Sequence, residues 1–223
     1  MREIVLDTET TGLDPTGGHR IVEIACLELL NHIPTGRSYQ SYINPERDVP
    51  ADAIAVHGLT VEFLSDKPRF AEIADTLLEF IADAPLVIHN AEFDVRFLNA
   101  EFQRLARLPL NGERVVDTLQ IARQKFPGAP ASLDALCRRF AIDNSTRTKH
   151  GALLDTELLA DVYLELIGGR QAGLELMTAA RATAALATGG RTPRVARPHA
   201  PTEAELVAHA TLVGMLKDPI WAS

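Results

Sequence analysis

Arg2-Glu3-Ile4-Val5-Leu6-Asp7-Thr8-Glu9-Thr10-Thr11-Gly12 is the stretch around which the rest of the chain organises. Its first residues are a short apolar run that enters a polar segment ending in glycine, the pattern of a strand running into a turn. Side chains two apart on a strand leave the same face, so Asp7 and Glu9 point the same way. Two carboxylates at the end of a buried strand repel each other and resist desolvation unless a cation lies between them. The plainer alternative is a pair of solvated acids at the turn.

Outward from this stretch, residues 21–30 fit a second strand able to pair with the first, and residues 39–43 a third, ended by Asn44-Pro45. Three consecutive strands on short links predict an antiparallel meander. Helical spacing takes over near Phe70, with Ile73, Leu77, Leu78 and Ile81 forming an apolar stripe. Residues 85–90 read as a brief apolar strand feeding a helix over 92–105. Residues 115–117 read as a last strand, followed by a helix that Pro127-Gly128 stops. Ser132 is placed to cap a further helix, and a long one over 152–167 ends at Gly168-Gly169. Strands followed by alternating helices and strands predict a mixed α/β domain.

The composition sets bounds on this reading. The chain has 223 residues, 46% hydrophobic and 23% charged, the proportions of a globular domain plus an appendage. No apolar run reaches the ~18 residues of a membrane span, and the first residues lack an apolar signal region. Cys26 and Cys137 stand far apart without metal-type spacing, which predicts a reducing, cytoplasmic setting. The formal net charge of −8 argues against unaided phosphate binding. Residues 1–167 hold 16 Lys and Arg against 26 Asp and Glu, so nucleic-acid chemistry there needs bound cations or a partner. Beyond Gly169, Ala, Thr, Gly, Arg and Pro dominate, the texture of a flexible linker. Thr202 with Glu205 then predicts a capped helix, and Ile220-Trp221 close an apolar tail suited to docking.

On the 152–167 helix, positions 155, 159, 162 and 166 share one face, and three of them are Leu159, Val162 and Leu166. Asp155 therefore heads an apolar stripe and points toward the core, where a carboxylate needs a partner. Asp94 stands likewise at a helix start on the side of Leu98 and Leu105. A first-turn acid complementing the helix dipole is the alternative there. His150, five residues before Asp155, is a candidate general base, since an ordinary histidine titrates near ~6.5. Four carboxylates from three segments suit hard, oxygen-liganded Mg²⁺ or Mn²⁺.

With these residues in view, Asp7-Thr8-Glu9-Thr10-Thr11-Gly12, His89-Asn90-Ala91-Glu92-Phe93-Asp94 and His150-Gly151-Ala152-Leu153-Leu154-Asp155 resemble the three motifs of the histidine-type DEDD 3′→5′ exonucleases. Val56-His57-Gly58-Leu59-Thr60, Phe126-Pro127-Gly128, Ile142-Asp143-Asn144-Ser145 and Gly168-Gly169 with Gln171 bring the resemblance closest to the proofreading subunits of bacterial replicative polymerases. The resemblance implies an RNase H-like mixed sheet, antiparallel meander plus parallel strands, flanked by helices. It further implies that Asp7, Glu9, Asp94 and Asp155 hold two divalent cations, Mg²⁺ or Mn²⁺, and that His150 deprotonates the attacking water. Asp7, Thr8, Glu9, Leu13, Asp52, His57 and Asp155 are implied to contact the terminal nucleotide. The expected organisation is an exonuclease domain over 1–171, a linker over 172–201 and a polymerase-docking tail over 202–223. The implied substrate is a single-stranded or frayed DNA 3′ end, released as nucleoside 5′-monophosphates. The implied partners are the polymerase catalytic subunit and, beyond it, the sliding clamp or a small accessory subunit. The implied location is the bacterial cytoplasm, at the nucleoid during replication. A stand-alone exonuclease acting on RNA keeps the same site but leaves the tail unexplained.

Overall fold

A computed structural model describes residues 1–145, 147, 149–169 and 200–217. Five strands form one sheet in the order β3-β2-β1-β4-β5. β1 (Arg2–Thr10), β2 (Ile21–Leu30) and β3 (Ile33–Tyr42) form the expected antiparallel meander. β4 (Leu86–Ile88) and β5 (Val115–Asp117) add in parallel on the other side of β1. β1 is thus the strand at which the sheet changes from antiparallel to parallel. Ligand sites in open α/β sheets gather where the strand order reverses, at the carboxyl ends of the strands.

The side-chain alternation of β1 decides what each face meets. Ile4 and Leu6 pack with Ile24, Cys26 and Leu86 under α3 (Phe70–Ile81) and α4 (Ala91–Arg104). Val5 faces the other way, onto Leu159, Ala160 and Tyr163 of α7 (Ala152–Leu166). α5 (Thr118–Lys125) and α6 (Leu133–Phe140) close a third cluster against α7 through Ala122, Leu136, Cys137, Leu158 and Val162. Ser132 caps α6 as expected, its hydroxyl accepting from the Ala135 amide. At the far end of the same face, Glu3 is fully buried and accepts a hydrogen bond of 2.8 Å from the Tyr163 hydroxyl.

β1 carries Asp7 and Glu9 at its end as expected, where β2 supplies partners for Asp7, Thr8 and Glu9. Two differences from the sequence reading have physical causes. β3 begins at Ile33 rather than at 39. It is an edge strand, where Pro34 and Gly36 cost little since no further strand needs their hydrogen bonds. Two short helices, α1 (Ala51–His57) and α2 (Val61–Leu64), occupy a stretch without strong periodicity. α1 ends at Gly58, whose φ of 80° lies in the left-handed region that favours glycine.

Residues 176–223 form a unit separate from 1–175. In it α8 (Glu203–Met215) carries the expected reciprocal cap between Thr202 and Glu205. Leu206, Val207, Leu212 and Met215 are exposed on it. Gln171, Ile220 and Trp221 lie outside the described residues, as does most of the expected linker.

Candidate active site

The site is assembled from one strand and two helix starts. Asp7 and Glu9 project from the carboxyl end of β1 on the face covered by α7, and Glu9 pairs in register with Glu23 of β2. The register shifts between Glu9 and Thr10, an irregularity of the kind that re-aims side chains next to active sites. Thr8, on the opposite face, donates its hydroxyl to Asp94 Oδ1 at 2.6 Å and so orients that carboxylate at the start of α4. Asp155 sits in the first turn of α7, 4% exposed, with Leu159, Val162 and Leu166 buried below it as the stripe required. Asp161 is exposed, as its position off the stripe predicts.

These groups line one open cleft of about 580 Å³ that holds Asp7, Glu9, Asp94, Asp155 and His150 together. Glu9, His150 and Asp155 offer ligand atoms all within 4.8 Å of one another. His150 stands at the rim, half exposed, its Nδ1 3.7 Å from Asp155 Oδ2. Its backbone amide donates to the Val56 carbonyl at 3.2 Å.

The electrostatics are those of crowded acids. Burial first, then the charges of Asp94, Glu9, Asp155 and Glu23, hold the Asp7 carboxyl well above the usual range, although the group still faces the cleft. Burial, reinforced by Asp155 and Glu23, pushes Glu9 up to about 8. Burial likewise raises Asp94 to about 7 despite the Thr8 hydrogen bond. Such a set is at ease only when a positive charge enters it. The donors are carboxylate oxygens with one imidazole, a set that fits a divalent cation.

Arg147 supplies one positive charge. Its guanidinium binds Asp155 through two hydrogen bonds of 2.6 and 2.7 Å, reaches Asp134 at 2.8 Å and donates to His150 Nδ1 at 3.0 Å. Neither Arg147 nor Glu23 was singled out from sequence. Glu23 carried a usable signal, a charged residue inside the apolar run of β2. Arg147 lies in a loop, where nothing in the spacing announces it.

A second cavity of about 610 Å³ meets the first at Thr8, Glu9 and Phe93. Leu13, Asp52, Val56 and His57 line it. His57 is buried, and its Nδ1 accepts from the Leu59 amide at 3.0 Å. Leu13 is 80% exposed, an apolar side chain left bare at the cavity edge. His19 underlies the adjoining loop so closely that a Cβ on Gly12 would fall 2.4 Å from its ring. All seven residues expected at the terminal nucleotide therefore border one or both of two adjoining cavities.

A mixed sheet that gathers four acids and a histidine at the end of its central strand defines a divalent-metal-dependent nuclease. Over residues 4–163 the chain matches the exonuclease family RNase_T, and it belongs to that family. It is 52% identical over 215 residues to a curated Rickettsia felis protein named DNA polymerase III subunit epsilon, with 94% of each chain covered. To the Escherichia coli K12 protein of the same name it is 51% identical over 176 residues, covering 76% of this chain and 72% of that one. Among solved structures, the nuclease domain of 3'hExo, a DEDDh family member bound to rAMP, superposes with a TM-score of 0.66. That likeness covers 77% of this chain and 92% of that one at 18% identity, and speaks for the fold. The chain is thus an exonuclease of the RNase_T family.

Proposed function

We propose that the protein is the 3′→5′ proofreading exonuclease of a replicative DNA polymerase, hydrolysing frayed DNA 3′ ends to nucleoside 5′-monophosphates. The observation that carries this is the convergence of Asp7, Glu9, Asp94 and Asp155 on one cleft with His150 at its rim. The extent of identity to proteins named DNA polymerase III subunit epsilon supports the setting. Asp7, Glu9, Asp94 and Asp155 would hold two divalent cations between them. Bound there, the cations supply Lewis acidity to the scissile phosphate and lower the pKa of the attacking water.

The remaining chemistry belongs to the protein. The 610 Å³ cavity takes the terminal nucleoside, with Leu13 against the base and Asp52, His57 and Thr8 around the sugar. That placement leaves the phosphodiester over Asp7, Glu9 and Asp155, within reach of His150. The His150 imidazole accepts the water proton as the P–O bond to the preceding nucleotide breaks and the 3′ oxygen departs. Thr8 keeps the Asp94 carboxylate turned toward the cleft. Residues 1–171 form the catalytic domain, 172–201 a linker and 202–223 the segment that docks on the polymerase catalytic subunit. Contact with a sliding clamp or small accessory subunit belongs to the same assembly.

The test uses purified full-length Asp7→Ala and His150→Ala on single-stranded and mismatched DNA 3′ ends, with Mg²⁺ and with Mn²⁺. Both variants fold and both lose trimming. Undiminished trimming by either sinks the proposal. Faster trimming of matched RNA than DNA ends assigns the protein to RNA processing instead.

A further inference from the structure

Helix α7 carries Asp155 in its first turn, yet nothing local caps it. The N-cap is Gly151, extended at φ −155° and ψ 124°, with no side chain to accept from the first amides. Those amides are orphan donors that a helix must satisfy from elsewhere. The Ala152 amide donates to Glu23 Oε2 at 3.3 Å, from α7 to β2 across a sequence separation of 129. Gln40 Nε2, on β3, donates to the other oxygen of the same carboxylate at 2.7 Å. Gln40 Nε2 in turn lies 3.3 Å from the Tyr42 hydroxyl.

Glu23 is 3% exposed, and among the described residues no ion pair compensates it. Its ionisation is opposed first by burial, while its two hydrogen bonds favour the charged form. A buried carboxylate without a counter-charge is costly. On the face opposite Val22 and Ile24, the carboxylate lines a cleft of about 350 Å³ with Gln40, Tyr42, His57 and His150. A helix N-terminus is the place where a negative charge is favoured by the backbone dipoles. The segment between the two anchors is short. His150 N is held by the Val56 carbonyl, Ala152 N by Glu23, and Asp155 follows one turn later.

We propose that Glu23 is a positioning residue of the hydrolytic site: reaching across from β2, it caps α7 and thereby fixes how His150 and Asp155 face the cleft. This rests on the exonuclease reading above. A carboxylate suits the position because both of its oxygens accept. Glutamine at 23 keeps one acceptor for Ala152 but turns an amide NH₂ toward Gln40, whose own amide must rotate to accept it and so gives up its donation to the Tyr42 hydroxyl. Exchanging the two residues restores a donor–acceptor pair while moving the charge outward to β3.

The experiment compares full-length wild type, Glu23→Gln and the double variant Glu23→Gln/Gln40→Glu. Steady-state trimming of a single-stranded DNA 3′ end, Mn²⁺ affinity by calorimetry and Ala152 amide exchange by NMR are measured on each. In Glu23→Gln, kcat falls about 10²-fold, the scale of a 1 Å misplacement. KM and Mn²⁺ affinity stay within threefold, and Ala152 loses protection. The double variant regains most of both kcat and protection. Wild-type kcat in Glu23→Gln overturns the proposal, as does a swap that restores neither readout. A tenfold or greater loss of Mn²⁺ affinity overturns it too, by making Glu23 a metal ligand. Amide exchange reports the cap even if wild type trims no DNA, so failure of the exonuclease reading is separately visible.

Discussion

At the scale of single residues, the chain keeps Asp7, Glu9 and Asp94 in a space that favours their protonated forms. Glu9 rises to about 8 and Asp94 to about 7, well above the ~4 of the same groups in an unfolded chain. Between those limits the folded protein holds protons that the unfolded chain has released, so its stability falls as pH rises. The melting temperature in EDTA is therefore expected to drop between pH 5 and pH 8, and Mn²⁺ to restore more of it at pH 8 than at pH 5. Asp94→Asn flattens this dependence in a pH series of thermal melts. His150→Ala is expected to lower kcat by about 10²–10⁴-fold, the usual contribution of a general base, with KM changed little in the same assay. The acids were legible because each stood where its neighbours were apolar or its spacing matched a strand or a helix, and the histidine because it precedes Asp155 by five residues. Arg147 was not, since loops leave no periodic trace and its role depends on where Asp155 and Asp134 come together.

At the scale of elements, β1 and α7 form the frame, and the remaining helices hold them in contact. Apolar runs foretold β1 and β2, and the 3.6-residue stripe foretold α3 and α7. α1 and α2 escaped because helices of seven and four residues complete too few turns to show a stripe. They matter nonetheless, for α1 brings His57 and Asp52 to the second cavity. Asp7 to Thr10 are polar, and pairing with β2 keeps them extended. Leu159, 1% exposed, packs α7 onto Val5 and Val87. Leu159→Ala is expected to cost about 2–5 kcal/mol in denaturant unfolding, the range for a large-to-small change in a core. Nuclease activity per folded molecule then falls too, because the same contact sets the height of Asp155.

At the scale of the whole molecule, an acidic chain with a net charge of −8 is suited to acting on DNA only with cations in place. EDTA is accordingly expected to abolish retention of single-stranded DNA in a gel-shift assay, and Mn²⁺ to restore it with His150→Ala in the lane. The change of composition after Gly169 reads as the boundary between a catalytic block and a C-terminal segment. Removing residues 190–223 is expected to leave trimming of free DNA ends intact and to abolish co-elution with the polymerase subunit on gel filtration. Within the catalytic block, two chain geometries are commensurate. The eight residues from Asp155 to Tyr163 rise ~12 Å along a helix, and the four from Asp7 back to Glu3 span ~13 Å along a strand. Tyr163 can grip Glu3 while Asp155 meets Asp7 only because these lengths agree. Adding one alanine to α7 after Leu159 turns Tyr163 by ~100° about the helix axis and breaks that agreement, whereas one added in the 106–111 loop leaves both ends in place. Along α7 and β1 the protein tolerates changes of residue far better than changes of length.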